Sequence, residues 1–249
     1  GCVFLLWYLL RRSPALSRPW SRARGFVGTW WRLNGRVMRH AVSVASPLAL
    51  ERVVMCGAQI LITAIVAPLG NTAIAANAFA VTAESLCYMA GYGIQDAALA
   101  LVGQAVGANR RDMARRFAWL CTCMGIGIMA LTGAGMYLFA PNLMGIFTAD
   151  TAVIALGAQV LRIEALAEPM FGASIVASGA MQGAGDSTGC FVLNLVSMWG
   201  IRLTLATLLA PRFGLVGVWF AMSFELTMRG VLFLVRLARG RWLDKGALA

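Results

Sequence analysis

SPLALERVVMCGAQILITAIVAPLG, residues 46–70, is long enough to cross a bilayer as a helix, and it carries a glutamate, Glu51, one turn after Pro47. A hydrocarbon core of about 30 Å takes roughly 20 apolar residues in helical form. The chain before this stretch is rich in arginine and has no acid. After it come five further apolar runs, at 73–105, 115–140, 152–181, 188–210 and 215–236, each long enough to cross again. The runs are continuous and rich in Ala, Leu and Gly, without the period-two alternation of barrel strands. The expected fold is all-α: a polytopic bundle of six transmembrane helices over residues 47–236.

Composition agrees. Of 249 residues 60% are hydrophobic and 12% charged, against about a quarter charged in soluble domains. The net charge of +11 invites a nucleic-acid reading, but the arginines gather between apolar segments, and no RNP or zinc-type spacing accompanies them. The six cysteines form no CxxC, and five of them lie in or beside apolar runs, where small core residues belong. No cofactor or metal site is expected.

Residues 2–10, CVFLLWYLL, are too short to span alone and precede Arg11 and Arg12, the reverse of a signal peptide's order. They are expected to end a spanning helix that began earlier. Residues 11–46 form a basic connector with eight arginines, and Trp30, Leu33 and Val37 suggest a short amphipathic helix in it. Residues 237–249 form a basic tail. Arg110, Arg111, Arg115 and Arg116 mark one further connection on the same side, whereas the loops on the other side contribute Arg212 alone. Basic residues mark the cytoplasmic face, so both ends are expected inside, in a cell inner membrane.

Charged groups within the spans are costly, by ~3 kcal/mol or more each near a helix centre. Glu51 heads the first span. The second carries Glu84, Tyr88 and Gln95 at spacings of four and seven, with Asp96 alongside, and Gln59 adds an amide to the first. The fourth carries Glu164 and Glu168 one turn apart, with Gln182 further along. Both ionised, those two carboxylates would repel, so a cation between them and a structural partner such as Arg162 are equally open. Arg202, Glu225 and Arg229 in the last two spans read as internal charge pairs.

A polar interior in an apolar bundle suits a pathway for a solute or ion. His40 is the only histidine, and it lies in the basic connector, so histidine-dependent catalysis within the spans is excluded; no catalytic residue is expected. GAGDST lacks the lysine of a phosphate loop. Gly183, Gly185 and Asp186 are read as a structural turn.

PLALE (47–51), LGNTAIAANAF (69–79), ALVGQAVGANRRDMARR (100–116) and SGAMQGAGDSTGCFVLNLVSMWGIRL (178–203), in this order and spacing, resemble the carboxy-terminal lobe of the multidrug and toxic compound extrusion (MATE) transporters. The resemblance implies one six-helix lobe of a twelve-helix antiporter that exports organic cations in exchange for Na+ or H+. It makes the missing amino-terminal lobe, a small organic cation and the lipid bilayer the partners, with nucleic acid excluded. Glu51 corresponds to an acid that some members use for cation coupling, and Glu164 and Glu168 lie one or two turns before the family's acid in its tenth helix. An isolated lobe is expected to be inactive. The alternatives are a flippase for lipid-linked oligosaccharide or polysaccharide, and a non-transporting membrane scaffold.

Overall fold

The computed structural model describes residues 35–243; the expectations for residues 1–34 and 244–249 lie outside this range. Among the described residues all regular structure is helical. Seven α-helices occur in order: α1 Gly35–Val66, α2 Asn71–Gly107, α3 Arg111–Phe147, α4 Thr151–Ala165, α5 Glu168–Gly183, α6 Ser187–Leu195 and α7 Thr204–Arg239. A π-helical segment, Val196–Leu203, joins α6 to α7, and single 3-10 turns come after α1 and α7. The residues from Ser46 onward form a compact unit of their own, the helix bundle.

Among the described residues four stretches are long and apolar enough to cross a membrane: Ala49–Leu69, Asn71–Gly107, Arg111–Phe147 and Ser187–Arg239. The chain is a polytopic membrane helix bundle. The fourth span expected from sequence is broken in two. Leu166 and Ala167 separate α4 from α5, and Pro169 stands in the first turn of α5. Proline has no N–H to give, and its ring clashes with the carbonyl four residues earlier, so one continuous helix is costly there. The fourth stretch is 53 residues long, about 80 Å if straight. It turns instead, at Gly214 (φ 60°, ψ −140°) just after Pro211.

The exterior and interior are arranged for lipid. Ile146, Leu166, Leu131 and Val53 are each at least 70% exposed, while Glu164, Glu168 and Glu225 are fully buried. Helices α2, α3, α5 and α7 form the packed centre, with α5 touching the other three. Small residues make that possible. A Cβ on Gly179 would lie 2.8 Å from the Gln95 carbonyl oxygen, and one on Gly183 would collide with the Leu99 backbone. This is the close approach that small residues allow in membrane bundles.

The apolar core has two parts. One contains Ala76, Ala80, Ala83, Met136, Met144, Leu161 and Leu226, the other Ala98, Val102, Ala118, Val176, Met181 and Phe233. On α2 the first ends at Cys87 and the second begins at Ile94; on α5 the first reaches Phe171 and the second begins at Val176. Glu84 of α2, Glu168 of α5 and Glu225 and Arg229 of α7 fall at or beside this waist.

Candidate functional site

Five elements bring charge to the waist: α2, α4, α5, the π-helical segment and α7. Glu225, on α7, is fully buried; it accepts a hydrogen bond from Ser197 Oγ at 2.5 Å, lies 3.3 Å from Arg229 Nε and 4.0 Å from Arg202 Nη1. Arg229 is one turn further along α7, and Arg202 comes from the π-helical segment. Arg202 also donates to the Met198 sulfur at 3.6 Å. The three residues expected to pair are thus brought together.

Glu164 ends α4 and Glu168 starts α5, so the helix break holds both acids at the waist. Glu164 is within electrostatic reach of Glu84, Arg202, Glu168 and Glu225. Neither oxygen of Glu164 or of Glu168 has a hydrogen-bond partner among the described residues. Four glutamates thus share the waist with two arginines. A buried carboxylate without a partner costs several kcal/mol unless it is neutral or meets a cation. The described residues still contain no group of three or more His, Cys, Asp or Glu arranged to hold a metal ion.

Arg162 does not join this cluster. Two helical positions separate it from Glu164, about 200° around the axis, and it is exposed on the outer side of α4. Its Nε donates to the Tyr137 carbonyl oxygen at 3.5 Å. The reading of Arg162 as counter-charge to Glu164 and Glu168 is therefore replaced by a placement against α3.

Beside the waist lies a cavity of about 320 Å³, lined by Glu51, Arg52 and Met55 of α1, Tyr92 and Gln95 of α2, Phe171, Ser174, Ile175, Ser178 and Gln182 of α5, Asn194 of α6 and Arg229 of α7. Glu51 is half-buried, and its Oε1 accepts from Asn194 Nδ2 at 2.5 Å. Tyr88 packs edge-on against Tyr92 and Phe171, at 5.5 and 5.9 Å between centroids. The Arg229 guanidinium lies 5.4 Å from the Phe171 ring centre. Arg229 and Phe171 therefore link cavity to waist, since Arg229 lines the one and pairs with Glu225 in the other.

Of the other polar candidates, Gln95 and Gln182 line the cavity, Tyr88 stacks behind it, and Glu84 is buried at the waist. Gln59 and Asp96 do not line it. Asn194, Ser197 and Phe171 are functional neighbours that sequence reasoning misses. Asn194 and Ser197 look like ordinary small polar residues in an apolar run. The one usable signal is Glu168-Pro169, which marks the break that orients both acids.

At the α5–α6 turn Gly185 has φ 88°, a left-handed conformation that favours glycine. Asp186 comes next, buried, and caps α6 by accepting from the Gly189 N–H at 3.3 Å. It also accepts both from Arg236 Nε at 3.1 Å and from Arg236 Nη2. The turn is thereby fastened to the end of α7.

A profile of the MatE family matches residues 47–208. The chain belongs to the MatE family. It is 32% identical to a probable multidrug resistance protein NorM of Mesorhizobium japonicum, covering the whole of this chain and 51% of that relative. It is 30% identical to the probable NorM of Brucella suis, covering 90% of this chain and 49% of the relative. The chain spans about half the length of the curated relatives it matches. Its fold matches the Vibrio cholerae MATE transporter VcmN in the bent form, with a TM-score of 0.79 at 19% identity over 88% of this chain and 50% of that one. It also matches a MOP superfamily transporter from Pyrococcus furiosus, with a TM-score of 0.70 at 17% identity over 77% and 43% of the two chains. MatE proteins are membrane transport proteins and not enzymes.

Proposed function

We propose that the chain is the carboxy-terminal lobe of a cation-coupled exporter of organic cations. It crosses an inner membrane six times with both ends in the cytoplasm. Crossings four and six come from α4 with α5 and from the part of α7 after Gly214. Coupling arises from the two polar regions. An organic cation is held in the cavity by Glu51 and by the faces of Tyr92 and Phe171, which attract positive charge. Na+ or H+ neutralises carboxylate at the waist, and the cost of closing that region then depends on whether the ion is bound. Arg229 carries the message, because pairing with Glu225 and stacking on Phe171 are properties of one side chain. The observation behind this reading is that Glu164 and Glu168 are buried together with no hydrogen-bond partner among the described residues. A scaffold with internally paired acids would not leave two of them so.

Carbodiimide labelling of the purified protein tests the reading. Na+ or H+ is expected to change the labelling of Glu164, Glu168 or Glu51. Labelling indifferent to both ions would return the chain to the scaffold class. The lobe alone is not expected to transport, and a pure preparation that moved a cationic dye against its gradient in proteoliposomes would refute that.

The flippase reading retains one observation, that Arg52 and Arg229 share the cavity wall with Glu51. Arg229 is already engaged by Glu225, which leaves Arg52 as the base on this wall without an ion pair among the described residues. Competition between a lipid-linked saccharide and an organic cation for the purified protein separates the two.

A further inference from the structure

Arg162 has no part in the coupling scheme, yet it is an arginine in a spanning helix, and such residues have partners. It stands on the wall of a groove of about 540 Å³ between α3 and α4. The groove is built by Pro141. A proline inside α3 removes the N–H that would bond the carbonyl four residues earlier, and that carbonyl belongs to Tyr137. Arg162 Nε takes the orphaned oxygen at 3.5 Å, with the guanidinium 5.8 Å from the Tyr137 ring centre. One nitrogen is thereby occupied. The Nη groups remain, and no carboxylate pairs with Arg162 among the described residues. Gln159 adds an amide beside them, while Ile154, Ile163 and Leu166 make the rest of the wall apolar. Leu166, on this wall, is strongly exposed.

Depth points the same way. Tyr137 lies 21 residues after Arg116 on the same helix, about 30 Å and one hydrocarbon thickness. Tyr137, and Arg162 bonded to it, therefore sit at the headgroup boundary opposite the basic connections, where tyrosine is favoured and arginine can reach phosphate.

We infer that this groove binds an anionic phospholipid, its phosphate on Arg162 and Gln159 and an acyl chain along Ile154, Ile163 and Leu166. The binding stands apart from the transport reading; only the assignment to the outer leaflet rests on the proposed orientation.

The test uses the purified protein in nanodiscs with a phosphatidylglycerol carrying a photoreactive group early in one acyl chain. Labelling is mapped by proteolysis. Residues 151–166 are expected to be labelled about tenfold more than in Arg162→Gln, in line with loss of charge-assisted hydrogen bonds. Arg162→Lys, which keeps the charge, is expected to retain part of it and covers the case in which the glutamine variant misfolds. The inference is overturned by equal labelling from a phosphatidylcholine probe, by labelling unchanged in both variants, by displacement with free palmitate as readily as with phosphatidylglycerol, or by crosslinking of the groove to another protein segment in place of lipid. It is also overturned if both variants lose stability equally in anionic and zwitterionic lipid, because Arg162 would then only satisfy the Tyr137 carbonyl.

Discussion

Glu51 and Glu164 are both carboxylates on helices of the membrane bundle, and the fold treats them differently. Glu51 is half-buried on a cavity wall and bonded to an amide, Asn194. Glu164 is fully buried and neither of its oxygens is bonded among the described residues. The cavity has aromatic faces and side-chain amides on its walls. The waist is closed, and its arginines hold Glu225 directly while reaching Glu164 and Glu84 only through space. Charge at the cavity should therefore govern binding with little effect on stability. Charge at the waist should govern stability first, and it should do so with different signs for bases and acids.

The strongest way to break this contrast is to remove a base from the waist. Arg202→Leu leaves Glu225 with one arginine and the other acids with less compensation. Losing one partner of a buried ion pair costs about 3–5 kcal/mol. Denaturation in detergent, or the folded fraction recovered from membranes, is expected to show a loss of that size. Glu164→Gln removes an acid that has no bonded partner among the described residues, so its expected change is under about 1 kcal/mol or stabilising. A pair of variants with equal and large losses would show that Glu164 is held by a partner after all.

Next in size is the packing that brings the two regions together. Gly183→Val places side-chain atoms against the Leu99 backbone, and overpacking of this kind costs roughly 1–3 kcal/mol. Gly107→Val is the control, since a Cβ there meets nothing within 4 Å. Similar losses from both would mean that α2 and α5 do not approach as closely as described.

The bundle is legible from sequence because bilayer thickness imposes run length, and the family resemblance comes from motifs spread along it. The site is only partly legible. Glu84, Glu225, Arg202 and Arg229 can be singled out because charge in a span is conspicuous. Their arrangement cannot, because it depends on the break before Pro169 and on the π-helical segment that brings Arg202 round to Glu225. Arg162 misleads for a simpler reason. Closeness in sequence to Glu164 suggests closeness in space, whereas two positions on a helix face opposite ways. The partners of Glu51 and Glu225, Asn194 and Ser197, carry no charge and lie 143 and 28 residues away, so no local pattern announces them.

A smaller effect is expected at the turn that ties α6 to α7. Asp186→Asn keeps an oxygen for the Gly189 N–H and loses the charge facing Arg236. Arg236 is about a third exposed, so solvent screens the pair and the expected loss is about 1 kcal/mol. Arg236→Gln should cost about the same, and the double variant little more. Additive losses would show that the two side chains act independently.

The smallest effect on stability belongs to Glu51, and it is the one that tests the contrast most directly. Glu51→Gln keeps the shape of the side chain and the oxygen that accepts from Asn194. Because the group is only half-buried, melting is expected to change by no more than about 1 kcal/mol. Binding of a lipophilic cation such as tetraphenylphosphonium should weaken about tenfold, the order expected when a charge-assisted contact is lost. Asn194→Ala is the companion variant: it releases Glu51 from its amide and should alter cation affinity only while the carboxylate is present. A binding curve for Glu51→Gln that overlays the wild type would take Glu51 out of the cavity's chemistry. A large loss of stability without loss of binding would make it a structural acid of the kind found at the waist.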